Sequence, residues 1–207
     1  MPALVVAVGV TLVVLMHCWV TGVLGDMVVF NANFATGHVK VMSKAYSDNV
    51  NQMPNDLALL GTEEVLDHLA TDYPGMEWVE RIQFGGLVDA PDTNGETKAQ
   101  GPGGGMAVDL LTPGSEEIER LNLNKSLIRG RMIQSPEEII LSDEFATKLD
   151  VEPGDQVTLI STTMFGAMSI TNFTLVGTIK FGATALDRGG MIADISSIRM
   201  ALDMQDA

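Results

Sequence analysis

The side chains that most often do chemistry are few in this chain and poorly spaced for it. Three histidines and one cysteine are the whole supply of imidazole and thiol. His17 and Cys18 are neighbours, so on a helix they point to different faces, and His38 and His68 lie far off in sequence. A lone cysteine permits neither an internal disulfide nor a cysteine-based zinc site. "GPGGG" at residues 101–105 has the glycines of a phosphate cradle. It lacks both G-x-x-x-x-G-K-[ST] and G-x-G-x-x-G, and reads as a flexible hairpin arm. No G-x-S-x-G elbow, H-E-x-x-H pair or EF-hand loop occurs. Carboxylates abound, 27 in all, yet no spacing singles out an acid–base pair. The chain is therefore read as a non-enzyme: no catalytic residue, no cofactor and no metal ion are expected.

The totals narrow the remaining classes. A formal charge of -15 and a pI near 4.3 exclude nucleic acid as a partner, because phosphate contacts need clustered Lys and Arg. The acids are scattered rather than gathered in a block, as on a solvated surface. With 207 residues there is chain for one ordinary domain or two small subdomains sharing a core.

The elements begin with "MPALVVAVGVTLVVLMHCWVTGVLG", in which no Asp, Glu, Lys or Arg occurs. A helix over residues 2–24 would reach roughly 34 Å at about 1.5 Å per residue, enough for a hydrocarbon core of about 30 Å. A secretory signal would have a basic start, a shorter apolar stretch and a small-x-small cleavage site; none stands here. Length and missing charge assign a membrane helix, continued through "MVVFNANFATG" until Gly37 stops it. The absent basic flank gives no orientation and is read as truncation.

"HVKVMSKAY" alternates like a strand, and "SDNVNQMPND" is loop. Thr62 is placed as N-cap of "EEVLDHLATDY", with Val65, Leu66, Leu69 and Tyr73 on one face, before Pro74-Gly75 ends the helix. "MEWVERIQFGGLVDA" reads as a strand with Trp78, Ile82 and Phe84 in the core, and Asn94-Gly95 as a hairpin turn. Ser115 caps a short helix with Ile118 and Leu121 inward, and Ser142 caps another with Phe145, Ala146 and Leu149 inward. Pro153-Gly154 turns into a hairpin whose arms are "QVTLIST" and "SITNFTLVGTIKF". In the second arm Phe173, Leu175, Ile179 and Phe181 share one parity; Ile170 has the other, which calls for a bulge near Thr171-Asn172. "GGMIADI" and the helix "SSIRMALDM" complete an α+β layer.

"GHVKV" behind a membrane helix, "AVDLLTPGSEEIERLNLNKSLIRGRMI", "EEIILSDEFATKLDVEPGDQVTLIS" and "FTLVGTI" stand in an order that resembles MacB/LolC/LolE/FtsX-type ABC transporter permeases. The likeness is firmest in residues 106–200, above all in Ala146, Leu149, Val151, Gly154, Asp155 and Val157. It implies a transmembrane helix over residues 2–36 and an extracytoplasmic MacB-like core domain over 37–207, mixed strands and short helices in two subdomains. It further implies a permease in the inner membrane with its main domain in the periplasm. The implied partners are a cytoplasmic ATPase subunit, a second permease protomer in a homo- or heterodimer, and a periplasmic protein. The relayed work would fall on lipoprotein, lipid or peptide, or would activate a cell-wall hydrolase. One departure is the short tip "TMFGAM", where LolC has a longer loop that recruits a carrier, so that route is not carried over. Met164, Phe165 and Met168 at the tip are either a partner-contact patch or a tip folded back on its own domain. A stand-alone anchored or secreted binding module and an exported hydrolase are the rival readings.

Overall fold

A computed structural model describes residues 2–30, 32, 34, 37–52, 54–92 and 94–206, without the side chains of Asp26, Val29, Phe30 and Asn51. It divides into two compact units, Met1–Val41 and Met42–Ala207. The first is built on α1, Pro2–Phe30. Its stretch Pro2–Gly25 is 24 residues long and apolar enough to cross a membrane, and none of it is buried in the protein. A soluble core helix would hide one face; here every described side chain is exposed, and the Thr11 hydroxyl satisfies itself on Ala7 O at 2.9 Å. Ala32 and Phe34 have π-helical backbone, while Asn31, Asn33, Ala35 and Thr36, on which the rest of the expected extension falls, lie outside the described residues.

The expected strand over "HVKVMSKAY", which straddles the boundary at Val41, does not form. Residues 37–43 are irregular, with Val39 and Val41 exposed, and Lys44–Asp48 is a short helix, α2. The Ser43 hydroxyl decides it: Oγ accepts the Tyr46 N–H at 3.0 Å and donates to Leu57 O at 2.6 Å. Helix α3, Thr62–Asp72, starts one residue earlier than expected, with Gly61 as its N-cap and the Gly61 N–H given to Asp206 O at 2.7 Å. Val65, Leu66 and Leu69 are half-buried, and Tyr73 is exposed.

Among the described residues seven strands make one sheet, and Met42–Ala207 is one compact unit where two subdomains were expected. They are β1 Ile82–Pro91, β2 Thr97–Val108, β3 Leu127–Gly130, β4 Glu138–Ser142, β5 Gln156–Thr162, β6 Met168–Ile179 and β7 Gly190–Asp194. Between them lie α4 Glu117–Arg120, α5 Leu123–Ser126, α6 Asp143–Leu149 and α7 Thr184–Asp187, and α8 Ile195–Leu202 follows β7. The pairings return on themselves as β6–β4–β7–β2–β1–β5–β6, with β3 added on β6. Strand β6 closes the circuit because neighbouring amides face opposite edges: Thr174 N–H donates to Glu137 O at 2.8 Å, and Leu175 N–H to Asp155 O at 2.8 Å. The core gathers Phe84 and Val88 of β1, Val157 and Leu159 of β5, and Phe173 and Leu175 of β6 around Phe145 and Leu149 of α6 and Leu202 of α8.

The "GPGGG" stretch is not a free arm. It lies in β2, with Gly103, Gly104 and Gly105 opposite Gly86, Gly85 and Phe84. A Cβ at Gly105 would meet Met191 O at 2.7 Å, and one at Gly101 would meet the Phe145 ring at 3.0 Å. These glycines let α6 and β7 approach the strand closely. The short helix after Ser115 is also split, with Asn122 at φ 56 between α4 and α5. Leu121 and Leu123 are buried, Ile118 only half so, and Glu117 takes the inward place.

Candidate functional site

The β5–β6 hairpin carries the apolar tip. Its register runs unbroken from Gln156↔Thr174 to Thr162↔Met168, so no bulge stands near Thr171-Asn172. The irregularity lies instead between Ile139 and Ile140 of β4, where Val176 is skipped in the pairing with β6. Ile170 keeps its outward parity and is simply exposed. The tip turns by Thr163 N–H to Ala167 O at 2.8 Å and Gly166 N–H to Thr163 O at 3.0 Å, with the Thr163 hydroxyl accepting the Ala167 N–H at 3.1 Å.

The three tip residues part company. Met164 is partly buried against the core, its N–H donating to Leu202 O at 2.8 Å. Phe165 and Met168 are each 74% exposed and Ile170 is 64% exposed. Sequence reasoning missed Ile170; its wrong parity was the signal, because an apolar residue out of phase on an unbroken strand faces outward. The outward row continues through Ile160, which faces Ile170, to Leu87 and Pro102 on the next two strands. Below it the Thr158 hydroxyl donates to Asn172 Oδ1 at 2.8 Å. The Ser169 hydroxyl holds Ala201 O at 2.5 Å, which fixes the hairpin on α8 beside the exposed Met200. Residues 156–179 contain no Asp, Glu, Lys or Arg in a chain of charge -15. An apolar patch in such an uncharged setting suits association by desolvation, without charge pairing.

The motif residues, by contrast, build structure. Ser142 Oγ caps α6 by accepting the Phe145 N–H at 3.3 Å and donates to Asp187 O at 2.7 Å. Asp155 Oδ2 accepts the Glu152 N–H at 2.8 Å, closing the turn before β5. Arg131 forks onto Glu138, Nη1 to Oε2 at 2.8 Å and Nη2 to Oε1 at 2.5 Å. The Thr178 hydroxyl and Arg129 Nε both donate to Asp143 Oδ1 at 2.7 Å.

A pH dependence follows from these pairs. The Thr178 hydroxyl, followed by Arg129, holds the Asp143 carboxyl below its ordinary range, and Arg131 does the same to Glu138 with help from the Gln134 N–H. A depressed folded-state pKa contributes stability that is present above the unfolded values, about 3.9 for Asp and 4.3 for Glu, and is lost as pH falls through the folded ones. Urea midpoints are therefore expected to drop on acidification below about pH 4. The drop should be shallower in the double variant Asp143→Asn/Glu138→Gln than in the parent chain.

The family model for the MacB-like periplasmic core domain matches residues 3–205, helix and sheet domain together. The chain belongs to that family. It is thus of the MacB/LolC/FtsX-type ABC permease kind, a membrane-anchored protein with a mixed strand and helix domain behind an N-terminal apolar helix. The domain of this family is not itself catalytic. No curated protein matches the chain.

Proposed function

We propose that this MacB-like chain is the outer working part of an ABC transporter permease. In this reading residues 2–36 anchor it in the inner membrane, and residues 37–207 work in the periplasm on lipoprotein, lipid or peptide. ATP would be hydrolysed by a separate cytoplasmic subunit, and a second permease protomer would complete the assembly. The uncharged hairpin, through Phe165, Met168 and Ile170, would meet a periplasmic protein. The observation that carries this reading is a single family match running through both the apolar helix and the sheet domain.

Topology gives the direct test. With the native Cys18 replaced by serine and a cysteine placed by Thr112→Cys, in the exposed bend between β2 and α4, a membrane-impermeant maleimide added to cells with a permeabilised outer membrane should label the protein. Labelling only after the inner membrane is lysed would reverse the orientation and end the reading. Co-purification from gently solubilised membranes should bring down an ATP-hydrolysing subunit. A chain that purifies alone, with no ATPase activity, would favour the stand-alone module.

A further inference from the structure

Residues 42–81, the first part of the second unit, sit on the rest of that unit mainly through side chains that are only half-buried, among them Leu57, Leu59, Val65, Leu66, Leu69 and Trp78. Tyr46 is its one buried residue among those described, and α3 buries none. Ala58 alone of this segment packs, partly buried, against the main core. Hydrogen bonding across to the rest of the domain includes the Gly61 N–H to Asp206 O at 2.7 Å.

Ion pairs supplement this partial packing. After α3 the strap of residues 73–81 runs to β1, and three of its side chains pair with the body of the domain. Glu77 Oε1 pairs with Arg120 Nη2 of α4. Glu80 Oε1 meets Arg199 Nη2 of α8 at 3.0 Å. Arg81 Nη2 meets Glu117 Oε2 at 2.9 Å, with Nε to the same oxygen at 3.0 Å. Glu117 is 2% exposed and also holds Arg120, so Arg81–Glu117–Arg120–Glu77 is one continuous alternating chain. Beside these ties Met76 and Val79 are exposed, 51% and 40%, while Trp78 is half-buried.

We propose that this ion-pair chain is a releasable clasp. It holds α2, α3 and the strap on the sheet domain, and when it opens the segment detaches while the sheet stays folded. Elements with few buried apolar contacts are the ones that open at low free energy, and partly exposed ion pairs weaken as salt rises. The central strands are held chiefly by the apolar contacts of Phe84, Phe145, Leu175 and their neighbours, which salt does not screen. Residues 42–81 lead directly into β1, so opening of the clasp frees the chain ahead of the sheet from the body of the domain.

Native-state hydrogen exchange on the full chain in detergent micelles tests this, with the variant Glu77→Gln/Glu80→Gln. Both substitutions lie on the strap, and they leave the buried Glu117 with its arginines. At physiological salt the amides of α3 should exchange about five to ten times faster than in the parent chain, the scale of two partly exposed ion pairs. Amides of β2, β4 and β7 should keep their rates, and at about 1 M salt the two proteins should converge as screening opens the parent clasp. Unchanged α3 rates would overturn the proposal. So would equal acceleration in α3 and the central strands, since that is global destabilisation, or an α3 rate in the parent chain that ignores salt.

Discussion

The variant Gly130→Ala is expected to lose about 2–5 kcal/mol of folding stability, enough at the upper end to leave a domain of about 5 kcal/mol partly unfolded at 25 °C. Two costs coincide at this position. Its φ of +77 is left-handed, where a Cβ costs roughly 1–2 kcal/mol. The added atom would also collide with Val176 O and lie 2.9 Å from Gly177 Cα and 3.0 Å from Pro153 Cβ. The backbone cannot step aside, because the Arg131 N–H is bonded to Val176 O at 2.9 Å and β3 is paired with β6 through Gly130↔Gly177. Overpacking of this kind adds roughly 1–3 kcal/mol.

Gly154 supplies the control. Its φ is +112 but a Cβ there would meet open space, so Gly154→Ala should show the conformational cost alone, about 1–2 kcal/mol. Urea unfolding of both variants decides the matter. Equal losses would mean that the close approach of β3 to β6 contributes nothing, and the packing account of Gly130 would fall.

The second large effect is on contact, with the fold left intact. In the triple variant Phe165→Ser/Met168→Ser/Ile170→Ser three exposed apolar side chains are lost, and folding stability should move by no more than about 0.5 kcal/mol, as for ordinary surface changes. Binding of a periplasmic partner at this hairpin should weaken by about 2–4 kcal/mol, thirtyfold or more, since exposed apolar clusters of this kind concentrate binding energy. The residues flanking the patch on this hairpin are uncharged, so the affinity should vary little with salt. A photo-cross-linking residue at position 165 in living cells should give adducts to a periplasmic protein, and adding Met168→Ser/Ile170→Ser should remove them. Adducts confined to this chain, or an unchanged yield in the variant, would show that the patch is not a contact surface. Met164 is left out because it packs inward, and its loss would confuse stability with binding.

Much of this was legible along the chain because it depends on near neighbours. The membrane-length helix follows from charge-free length. The cap at Ser142, the turn at Asn94-Gly95 and the alternation of Val157 and Leu159 follow from side chains that act on backbone two to four residues away. The same locality explains the errors. "HVKV" alternates as a strand should, but alternation alone does not make a strand without a partner to pair with, and residues 38–41 are irregular. "GPGGG" reads as flexible until Phe145 and Met191 are seen against it.

What the sequence by itself determined, then, is the family, the apolar helix, the absence of a recognisable catalytic motif and the uncharged hairpin: all are properties of residue type and short spacing. Only the tertiary structure decided which apolar residues of that hairpin face outward, that one compact unit with a closed circuit of strands stands where two subdomains were expected, and that Glu77, Glu80 and Arg81 pair with charges on α4 and α8. Those depend on partners such as Leu202, Arg120 and Arg199, far away along the chain, and a contact between distant segments leaves no periodic trace in either of them.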